Sequence, residues 1–366
     1  MGKAILLIGY NDITRPESWS GTPYNVINIL KSRGVCVYTL DAYKWENCFL
    51  KFLKNIIDHI PLCRNHYFFI QQFLIRQHIK SYIKKCKLKS HISILFLGNG
   101  IDMKSKSIKT YLYCDAIHHL REAYYPYDKK RDKLSKWIKS YFIFKAEDSM
   151  FTSMTHIFTQ SEWPRNYLIE NLSLPSYKVS KVGFGLNINL LEKNKSYDNN
   201  LLLIILRKGN EKLKGLYLLL DAFKKVRQHI PNTELAVVGT QLQPQKGVTF
   251  YYNKPRSVTI ELFQRATLYV MPALNEPNGQ TYLEALANRT PIVGLNRFAF
   301  PEFCGNGQYG YICENEDADE LADLLIQALS NKETLKEKAN AGYAYVKNLP
   351  YDWNTIVNTF MQTIFN

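Results

Sequence analysis

The sequence lacks any run of about 18 consecutive apolar residues, the shortest length typical of a membrane-spanning helix. Its seven cysteines include no Cys-x-x-Cys pair, and their number is odd. This usage indicates reduced thiols in a cytoplasmic protein, not a disulfide framework or a zinc cluster. The sequence also lacks the internal repeats of a solenoid.

Acidic residues are scarce in the first half of the chain. Residues 1–200 hold 30 Lys and Arg against 16 Asp and Glu, whereas residues 201–366 hold 17 against 16. Between His59 and Ile101 there are seven basic residues and no acidic one. This uneven charge predicts an anionic partner for the first half.

The segment at about 45–90 is basic, aromatic and helical in pattern, and three interpretations of it remain. Its face could lie on an anionic membrane surface, which would make the protein peripheral on the inner face of the membrane. It could equally be a packed pair of helices with lysines facing solvent. Nucleic-acid binding is the third option, but the segment contains no recognisable nucleic-acid-binding motif.

Strands and helices alternate along the chain, which favours parallel sheets. Apolar segments such as "AILLIGY" and "LLLIIL" read as buried strands, and the helical segment "NVINILKSRG" ends at a glycine. The length exceeds what one core usually supports. We therefore predict an α/β protein of two doubly wound domains, at residues 1–187 and 188–350, with a polar linker near 187–200. Residues 351–366 are predicted to form a last helix, and one option is that this helix crosses back to the first domain.

Two glutamates flank a predicted strand-to-helix turn in "NEPNGQTYLEALANRTP". Glu276 precedes the turn, Gly279 permits close backbone approach, and Glu284 lies inside the helix that begins near Thr281. A helix start after a strand is suited to a phosphate. A carboxylate on either side of a bound diphosphate could hold the hydroxyls of a sugar and of a ribose. The alternative is a turn glutamate followed by an exposed helix glutamate.

Positive charge for such a diphosphate is available in "RKGNEKLKG", after the first strand of the second domain. Arg207 can donate in a bidentate fork and Lys214 is a compact point charge, so both could stabilise a leaving diphosphate. The alternative is a solvated basic loop.

The first domain offers weaker signals after its strands. Gly21 in "SWSGTPY" would let the backbone approach a phosphate. Asp115, His118 and His119 follow the strand "TYLYC", where they could face a ligand. Adjacent histidines point in different directions, so at most one would serve; we favour His118, with local packing as the alternative.

Together these segments resemble retaining glycosyltransferases of the GT-B fold, in particular family 4, the "glycosyl transferases group 1" type. "NEPNGQTYLE" is similar to the family's E-x7-E signature, and "LRKGNEKLKG" to its Arg…Lys-Gly segment. The resemblance covers roughly residues 110–350 well and the first 40 loosely, and it omits the segment at about 45–90.

The resemblance implies two Rossmann-like domains facing across a cleft, and transfer of a sugar from a nucleotide-sugar donor with retention. Glu276 would hold the donor sugar, Glu284 the ribose, and Arg207 and Lys214 the diphosphate. Donor contacts would also come from Lys208 in this loop and from Asn278, Gly279, Gln280 and Thr281 in this turn, with Gly21 of the first domain approaching a phosphate from the opposite wall. Asp115 and His118 would lie on the acceptor side, with a glycan or lipid-linked acceptor of cell-surface polysaccharide or glycolipid synthesis.

Two positions depart from the family pattern. The spacing from Arg207 to Lys214 is a residue or two long, so Lys208 or Lys212 could take the role of Lys214. Arg289 stands where a glycine is usual.

No cofactor and no divalent metal is expected, because Arg, Lys and helix N–H groups can neutralise the diphosphate. Asp317 and Asp319 spell an Asp-x-Asp that other glycosyltransferases use for metal, but acids in a helix's first turn explain them. Two other functions remain open: a nucleotide-sugar epimerase or phosphorylase on the same fold, and a non-catalytic protein that binds nucleotide sugars or membranes.

Overall fold

The computed structural model describes residues 3–42, 63–88, 92–105, 107–118, 133–349 and 352–366. The chain divides into two compact units. Unit 1 is Met1–Gly185 with Tyr351–Asn366, and unit 2 is Leu186–Pro350, so the boundary falls two residues before the predicted one. Much of the segment at about 45–90, and His119 with it, lies outside the described residues.

Unit 1 is built on a six-stranded parallel sheet with the order β2-β1-β3-β4-β5-β6. Its strands are β1 (Ala4–Gly9), β2 (Cys36–Asp41), β3 (Ser93–Leu97), β4 (Thr110–Cys114), β5 (His156–Thr159) and β6 (Val179–Lys181). The inner strands β3, β4 and β5 are buried along their whole length, as continuous apolar strands between helices should be.

The helices of unit 1 are α1 (Thr22–Ser32), α2 (Cys63–Lys85), α3 (Lys133–Ser153), α4 (Glu162–Glu170) and α11 (Trp353–Phe365). The last of these, α11, packs on α1 and on the sheet. Phe360 is fully buried, with its ring centroid 5.2 Å from that of Tyr113 and 4.6 Å from that of Phe158. Trp353 covers Gly185, where a Cβ atom would lie 2.5 Å from the indole ring. The C-terminal helix is therefore part of the core of unit 1.

Unit 2 contains a second six-stranded parallel sheet, with the order β12-β11-β10-β7-β8-β9. Its strands are β7 (Leu201–Ile205), β8 (Glu234–Val238), β9 (Val248–Tyr251), β10 (Leu268–Val270), β11 (Ile292–Leu295) and β12 (Gly310–Cys313). Its helices are α5 (Leu216–His229), α6 (Arg256–Arg265), α7 (Gln280–Ala287), α8 (Phe300–Phe303), α9 (Ala318–Ser330) and α10 (Lys332–Lys347).

The strand order in each unit reverses beside its first strand, as in doubly wound sheets. In unit 2 the reversal lies between β7 and β10, and in unit 1 it lies between β1 and β3. The prediction of two doubly wound α/β domains is therefore confirmed. In such sheets a ligand binds outside the carboxyl ends of the strands at the point of reversal.

Residues 187–200, the predicted polar linker, lie within unit 2 and are fastened to it by hydrogen bonds. The ammonium group of Lys195 donates to the carbonyls of Phe263 (2.8 Å) and Asn288 (3.1 Å) and to the Thr290 hydroxyl. Tyr197 is buried and donates to the carbonyl of Arg289 at 2.8 Å. These contacts fasten the polar stretch onto unit 2, because buried carbonyls at helix ends need donors.

The described part of the basic segment forms helix α2, which is anchored in unit 1. Ile75 and Ile79 are buried in its core, while Lys80, Lys84 and Lys85 are exposed. Here the helix has the packed arrangement with lysines facing solvent. None of the helices in the described ranges is long and apolar enough to span a bilayer.

Candidate functional site

The loops that leave β7 and β10 meet at the reversal point of unit 2. The loop after β7 carries the basic residues Arg207 and Lys214, and the loop after β10 carries Glu276. The backbone N–H groups of Leu274 and Asn275 both donate to the carbonyl of Leu213, at 2.9 and 3.1 Å. Two segments about 60 residues apart in sequence are thereby fixed side by side at the position where this fold binds ligands.

Lys214 and Glu276 form an ion pair at this point. The Lys214 ammonium contacts Glu276 Oε2, and each side chain is 18% exposed. Glu276 Oε1 accepts a hydrogen bond from the backbone N–H of Gly279 at 3.0 Å. The pair is thus half-enclosed and reachable from solvent, so a ligand with its own anionic and hydroxyl groups can compete for both partners.

Helix α7 begins directly after Gly279, which takes a left-handed conformation with φ of 76°. A Cβ atom here would lie 2.4 Å from the Tyr282 ring and 3.2 Å from Glu276 Cγ. Only glycine fits between these groups without displacement. The turn therefore brings the backbone of the helix start next to Glu276. Phosphate binding at this turn stays a prediction.

Glu284, one turn further along α7, is buried with 6% of its surface exposed. Arg256 Nη2 donates to its Oε1 at 2.9 Å. Burial raises the pKa of the Glu284 carboxyl, and the Arg256 guanidinium opposes that rise. The alternative of an exposed helix glutamate is therefore wrong, because α6 supplies a cation that covers this carboxylate.

Thr281 lies one turn before Glu284 and is fixed by a hydrogen bond with Tyr269. The Tyr269 hydroxyl donates to Thr281 Oγ1 at 2.7 Å. Asn278 is 5% exposed and Gln280 opens the helix. Asn278, Gly279, Gln280 and Thr281, the residues predicted for donor contact on this turn, all lie at the start of α7.

The other predicted cations of unit 2 are more open to solvent. Arg207 and Lys208 are exposed immediately after β7, and Lys208 Nζ lies 5.3 Å from the centroid of the Tyr252 ring. Lys212 is exposed on the same loop. Of the three candidate lysines, Lys214 is the one in contact with Glu276.

Arg289 takes the left-handed conformation, with φ of 53°, that a glycine would adopt freely at the end of α7. Its guanidinium lies 3.8 Å from the centroid of the Tyr343 ring and donates from Nη1 to Asn340 at 3.0 Å. Arginine at this position thus ties the end of α7 to α10.

The candidate residues of unit 1 lie at the start of α1 and in the turn that follows β4. Gly21 is buried with φ of 82° and caps the start of α1. Asp115 and His118 follow β4, as predicted. The backbone N–H of His118 donates to both carboxylate oxygens of Glu147 on α3, at 2.9 and 3.0 Å. That carboxylate fixes the turn on which His118 stands.

A cavity of about 130 Å³ opens at the carboxyl ends of β1, β3 and β4. Its polar lining comes from residues of these loops and of helices α2 and α3: Tyr10, Gln71, Gln72, Asn99, His118 and Glu147. Its apolar lining includes Ile75, Ile143, Met150 and Phe151. Hydrogen-bonding groups beside apolar surface suit a hydroxyl-bearing ligand.

The Asp-x-Asp pair caps a helix. Asp317 accepts from the backbone N–H groups of Asp319 (2.8 Å) and Glu320 (2.9 Å) at the start of α9. Asp319 contacts Lys225 on α5. In the part of the chain that the structure describes, no cluster of three His, Cys, Asp or Glu side chains is arranged to hold a metal ion.

Two residues that contact the candidate site were missed in the sequence. Arg256 pairs with Glu284 across 28 positions, and Glu147 accepts from His118 across 29. The sequence did offer a signal for Arg256, because it is a cation at the start of the helix that follows β9. Glu147 carries no local signal, because it lies in the middle of a long helix.

The sequence of unit 2 matches a known family. Residues 188–345 match the family described as "Glycosyl transferases group 1". A phosphatidyl-myo-inositol mannosyltransferase from Mycobacterium leprae (strain TN) is 27% identical over 169 residues, which are 43% of this chain and 45% of the relative. The chain thus aligns with less than half of that relative's length. A capsular polysaccharide biosynthesis glycosyltransferase, CapM, from Staphylococcus aureus is 24% identical over 226 residues, 55% of this chain and 59% of CapM.

Solved structures with a similar fold cover nearly the whole chain. Sucrose-phosphate synthase from Thermosynechococcus elongatus has a TM-score of 0.70 at 15% identity, over 98% of both chains. WaaG, a glycosyltransferase involved in lipopolysaccharide biosynthesis, has a TM-score of 0.66 at 16% identity, over 98% of this chain and 99% of WaaG. The resemblance to group 1 glycosyltransferases is therefore confirmed: residues 188–345 match that family, and the chain has the GT-B fold.

Proposed function

We propose that this protein is a retaining glycosyltransferase that moves a sugar from a nucleotide-sugar donor to a glycan or lipid-linked acceptor. The observation that carries the proposal is the arrangement at the reversal point of unit 2. There Lys214 contacts Glu276 beside a helix start, and a second carboxylate, Glu284, lies one turn further along the same helix. Cations next to two carboxylates fit a diphosphate with a hydroxyl-bearing ring at each end.

In the proposed reaction, Glu276 accepts hydrogen bonds from the donor sugar and Glu284 from the ribose. Arg207 and Lys214 neutralise the charge that develops on the diphosphate as it leaves. Lys208 and residues 278–281 line the donor. The acceptor hydroxyl attacks the face from which the diphosphate departs, and a phosphate oxygen takes its proton. No divalent metal is required by this scheme, since the protein supplies the positive charge.

The acceptor is assigned to unit 1. Its cavity contains His118, and Asp115 stands on the same turn after β4. We place acceptor recognition there, with the ring held between the polar and the apolar lining. The printed functions of the relatives, a phosphatidylinositol mannosyltransferase and a capsule enzyme, support a lipid-linked or polysaccharide acceptor. The process we propose is therefore cell-surface polysaccharide or glycolipid synthesis in the cytoplasm.

The test begins with the donor. A panel of nucleotide sugars is screened by thermal shift, because a ligand that binds only the folded state raises its melting temperature. Transfer is then measured with the stabilising donor and a set of glycan and lipid-linked acceptors. Glu276→Gln and Arg207→Ala should each lower transfer by about 100-fold or more, with folding retained by circular dichroism.

The alternatives predict other outcomes of the same assays. Donor conversion without an acceptor would indicate an epimerase or phosphorylase. Donor binding without turnover under any acceptor would indicate a non-catalytic protein. Wild-type transfer rates from Glu276→Gln would remove that residue from the reaction.

We also propose that the basic first half docks on an anionic membrane surface. The exposed lysines Lys80, Lys84, Lys85 and Lys87 support this, at about 1 kcal/mol per cation near such a surface. Flotation with phosphatidylserine-containing liposomes should recover the protein, and neutralising Lys84, Lys85 and Lys87 should reduce recovery. Equal recovery with neutral liposomes would contradict this assignment.

A further inference from the structure

One side chain covers the buried carboxylate of Glu284 from outside its own helix. Arg256, the first residue of α6, donates from Nη2 to Glu284 Oε1 at 2.9 Å and to the backbone carbonyl of Asn187, also at 2.9 Å. Among the described residues, Glu284 Oε2 accepts no hydrogen bond. The carboxylate thus has one oxygen engaged by a cation and one oxygen open.

We propose that Arg256 is a positioning residue that keeps Glu284 ionised and oriented, so that its open oxygen can accept hydrogen bonds from the ribose hydroxyls of the donor nucleotide. This inference rests on the proposed function of Glu284 as the ribose-binding group. The new element is that Arg256 sets the charge and the orientation of the Glu284 carboxylate.

Burial alone would work against an ionised Glu284. Its side chain is 9% exposed, and removing a carboxylate from water disfavours its charged form. The titratable group facing it from β10 is Tyr269, whose own pKa burial raises, so that it remains neutral. The groups that shift the pKa of Glu284 are thus burial, which raises it, and Arg256, which lowers it.

The second contact of Arg256 limits how far its guanidinium can move. Nη2 is shared between Glu284 and the Asn187 carbonyl, so the group is held at two points although its side chain is 58% exposed. A ligand can therefore approach Oε2 while Arg256 stays on Oε1. Arg256 itself need not touch the ligand for this role.

The consequence is an added dependence of nucleotide affinity on pH that only variants of Arg256 display. In the wild type, Arg256 opposes the rise in the pKa of Glu284 and favours the ionised carboxylate, so the wild-type profile, which includes titration of the nucleotide's own phosphate, is the reference. Without the cation, the pKa of Glu284 rises further and the carboxyl is protonated as the pH falls. A protonated carboxyl has lost its charge and part of its accepting capacity, so ribose binding weakens.

The experiment is calorimetric titration of the full chain with UDP, GDP, ADP and dTDP, using whichever binds the wild type, from pH 5.5 to 8.5. Relative to the wild type, Arg256→Ala should weaken binding by up to about tenfold for each unit by which the pH falls below the raised pKa, and recover toward wild-type affinity at pH 8.5. Arg256→Lys should restore most of the affinity at low pH. Glu284→Gln should bind weakly at every pH.

Two further variants keep the result interpretable. Arg256→Gln retains a hydrogen-bond donor without charge, and should show the same pH dependence as Arg256→Ala. Arg265→Ala removes a cation from the other end of α6, where it pairs with exposed Glu261 at 3.3 Å, and should bind like the wild type at every pH. Thermal unfolding shows whether each variant is folded.

The outcomes separate this inference from the function on which it rests. If the wild type binds none of the four nucleotides and no nucleotide sugar, the proposed function is overturned and this inference with it. If the wild type binds, but both neutral variants follow its pH profile or lose affinity equally at every pH, the role of Arg256 is overturned and the function stands.

Discussion

The ammonium group of Lys214 contacts the carboxylate of Glu276, and this ion pair joins the loop after β7 to the loop after β10. Before a donor binds, each residue thus neutralises the other in a half-enclosed site. A sugar diphosphate would offer Lys214 a phosphate and Glu276 a hydroxyl donor in exchange. The pair keeps both side chains in place at little cost, since neither charge is left unpaired.

Lys214, and not its neighbour Lys212, should therefore be required for transfer. Lys214→Ala should reduce kcat by about 100- to 1,000-fold, the loss typical when one electrostatic stabiliser of a leaving group is removed. Lys212→Ala, on the same loop but exposed, should stay within about twofold of wild type. Steady-state rates with a fixed donor and acceptor provide the comparison, and equal losses from both variants would contradict the assignment of Lys214.

Gly215 should tolerate no side chain, because its backbone lies against the backbone that follows β10. Its φ is 73°, and a Cβ atom would lie 1.9 Å from the carbonyl oxygen of Pro272. Gly209 provides the matched control, with φ of 90° and open space around its Cβ position. Both alanine variants incur about 1–2 kcal/mol of left-handed backbone strain. Gly215→Ala should lose about 1–3 kcal/mol more from overpacking.

Thermal and urea unfolding of the two glycine variants measure this difference. Unfolding midpoints that coincide for Gly209→Ala and Gly215→Ala would show that the close approach to Pro272 is not required.

Arg289 should stabilise unit 2 through its side chain and strain it through its backbone. Arg289→Ala keeps the strain and loses the contacts with Tyr343 and Asn340, so we expect a loss of about 1–2 kcal/mol. Arg289→Gly also loses the contacts but relieves about 1 kcal/mol of strain, so it should be the more stable of the two variants. Chemical unfolding of the variants tests the order, and a glycine variant less stable than the alanine variant would contradict it.

Lys195 should give unit 2 a stability that rises with pH between the lowered pKa of its ammonium group in the folded protein and the ordinary pKa of a lysine. Burial lowers the pKa of its ammonium group well below the ordinary value, so the unfolded chain binds more protons between the two pKa values. The free energy of unfolding therefore increases as the pH rises through the lowered pKa toward about 10.4. Below that window the contribution is constant.

Lys195→Met removes this titration, so the stability of the variant should lack the rise with pH that Lys195 gives the wild type. The melting temperature of the wild type relative to Lys195→Met should increase with pH through the window between the two pKa values. Lys193→Met, an exposed neighbour, should track the wild type. A difference that does not change with pH would show that Lys195 titrates normally in the folded protein.

Much of the fold could be predicted from local sequence patterns. Apolar runs such as "LLLIIL" mark strands buried on both faces, and the loops that follow them lie at the carboxyl ends of parallel strands by necessity. Arg207, Lys214 and Glu276 could therefore be grouped before any coordinates were known. The helix start after Gly279 was recognisable for the same reason.

The environment of these residues could not be predicted, because it depends on contacts between segments distant in sequence. Glu284 lies off the apolar stripe of α7, yet it is buried and pairs with Arg256 on α6, 28 positions away. The ammonium group of Lys195 reaches acceptors 68 and 93 positions away. Periodicity reports which face of a helix is apolar, but not which neighbour covers a polar position.

The return of α11 to unit 1 has a consequence for dissecting the protein. Gly185, the last residue before unit 2, lies against Trp353, the third residue after it, within unit 1. Unit 2 is therefore a continuous insertion, residues 186–350, between the two segments of unit 1. Unit 1 is composed of two chain segments. A fragment that ends before α11 would lack Phe360 and leave a cavity beside the rings of Tyr113 and Phe158.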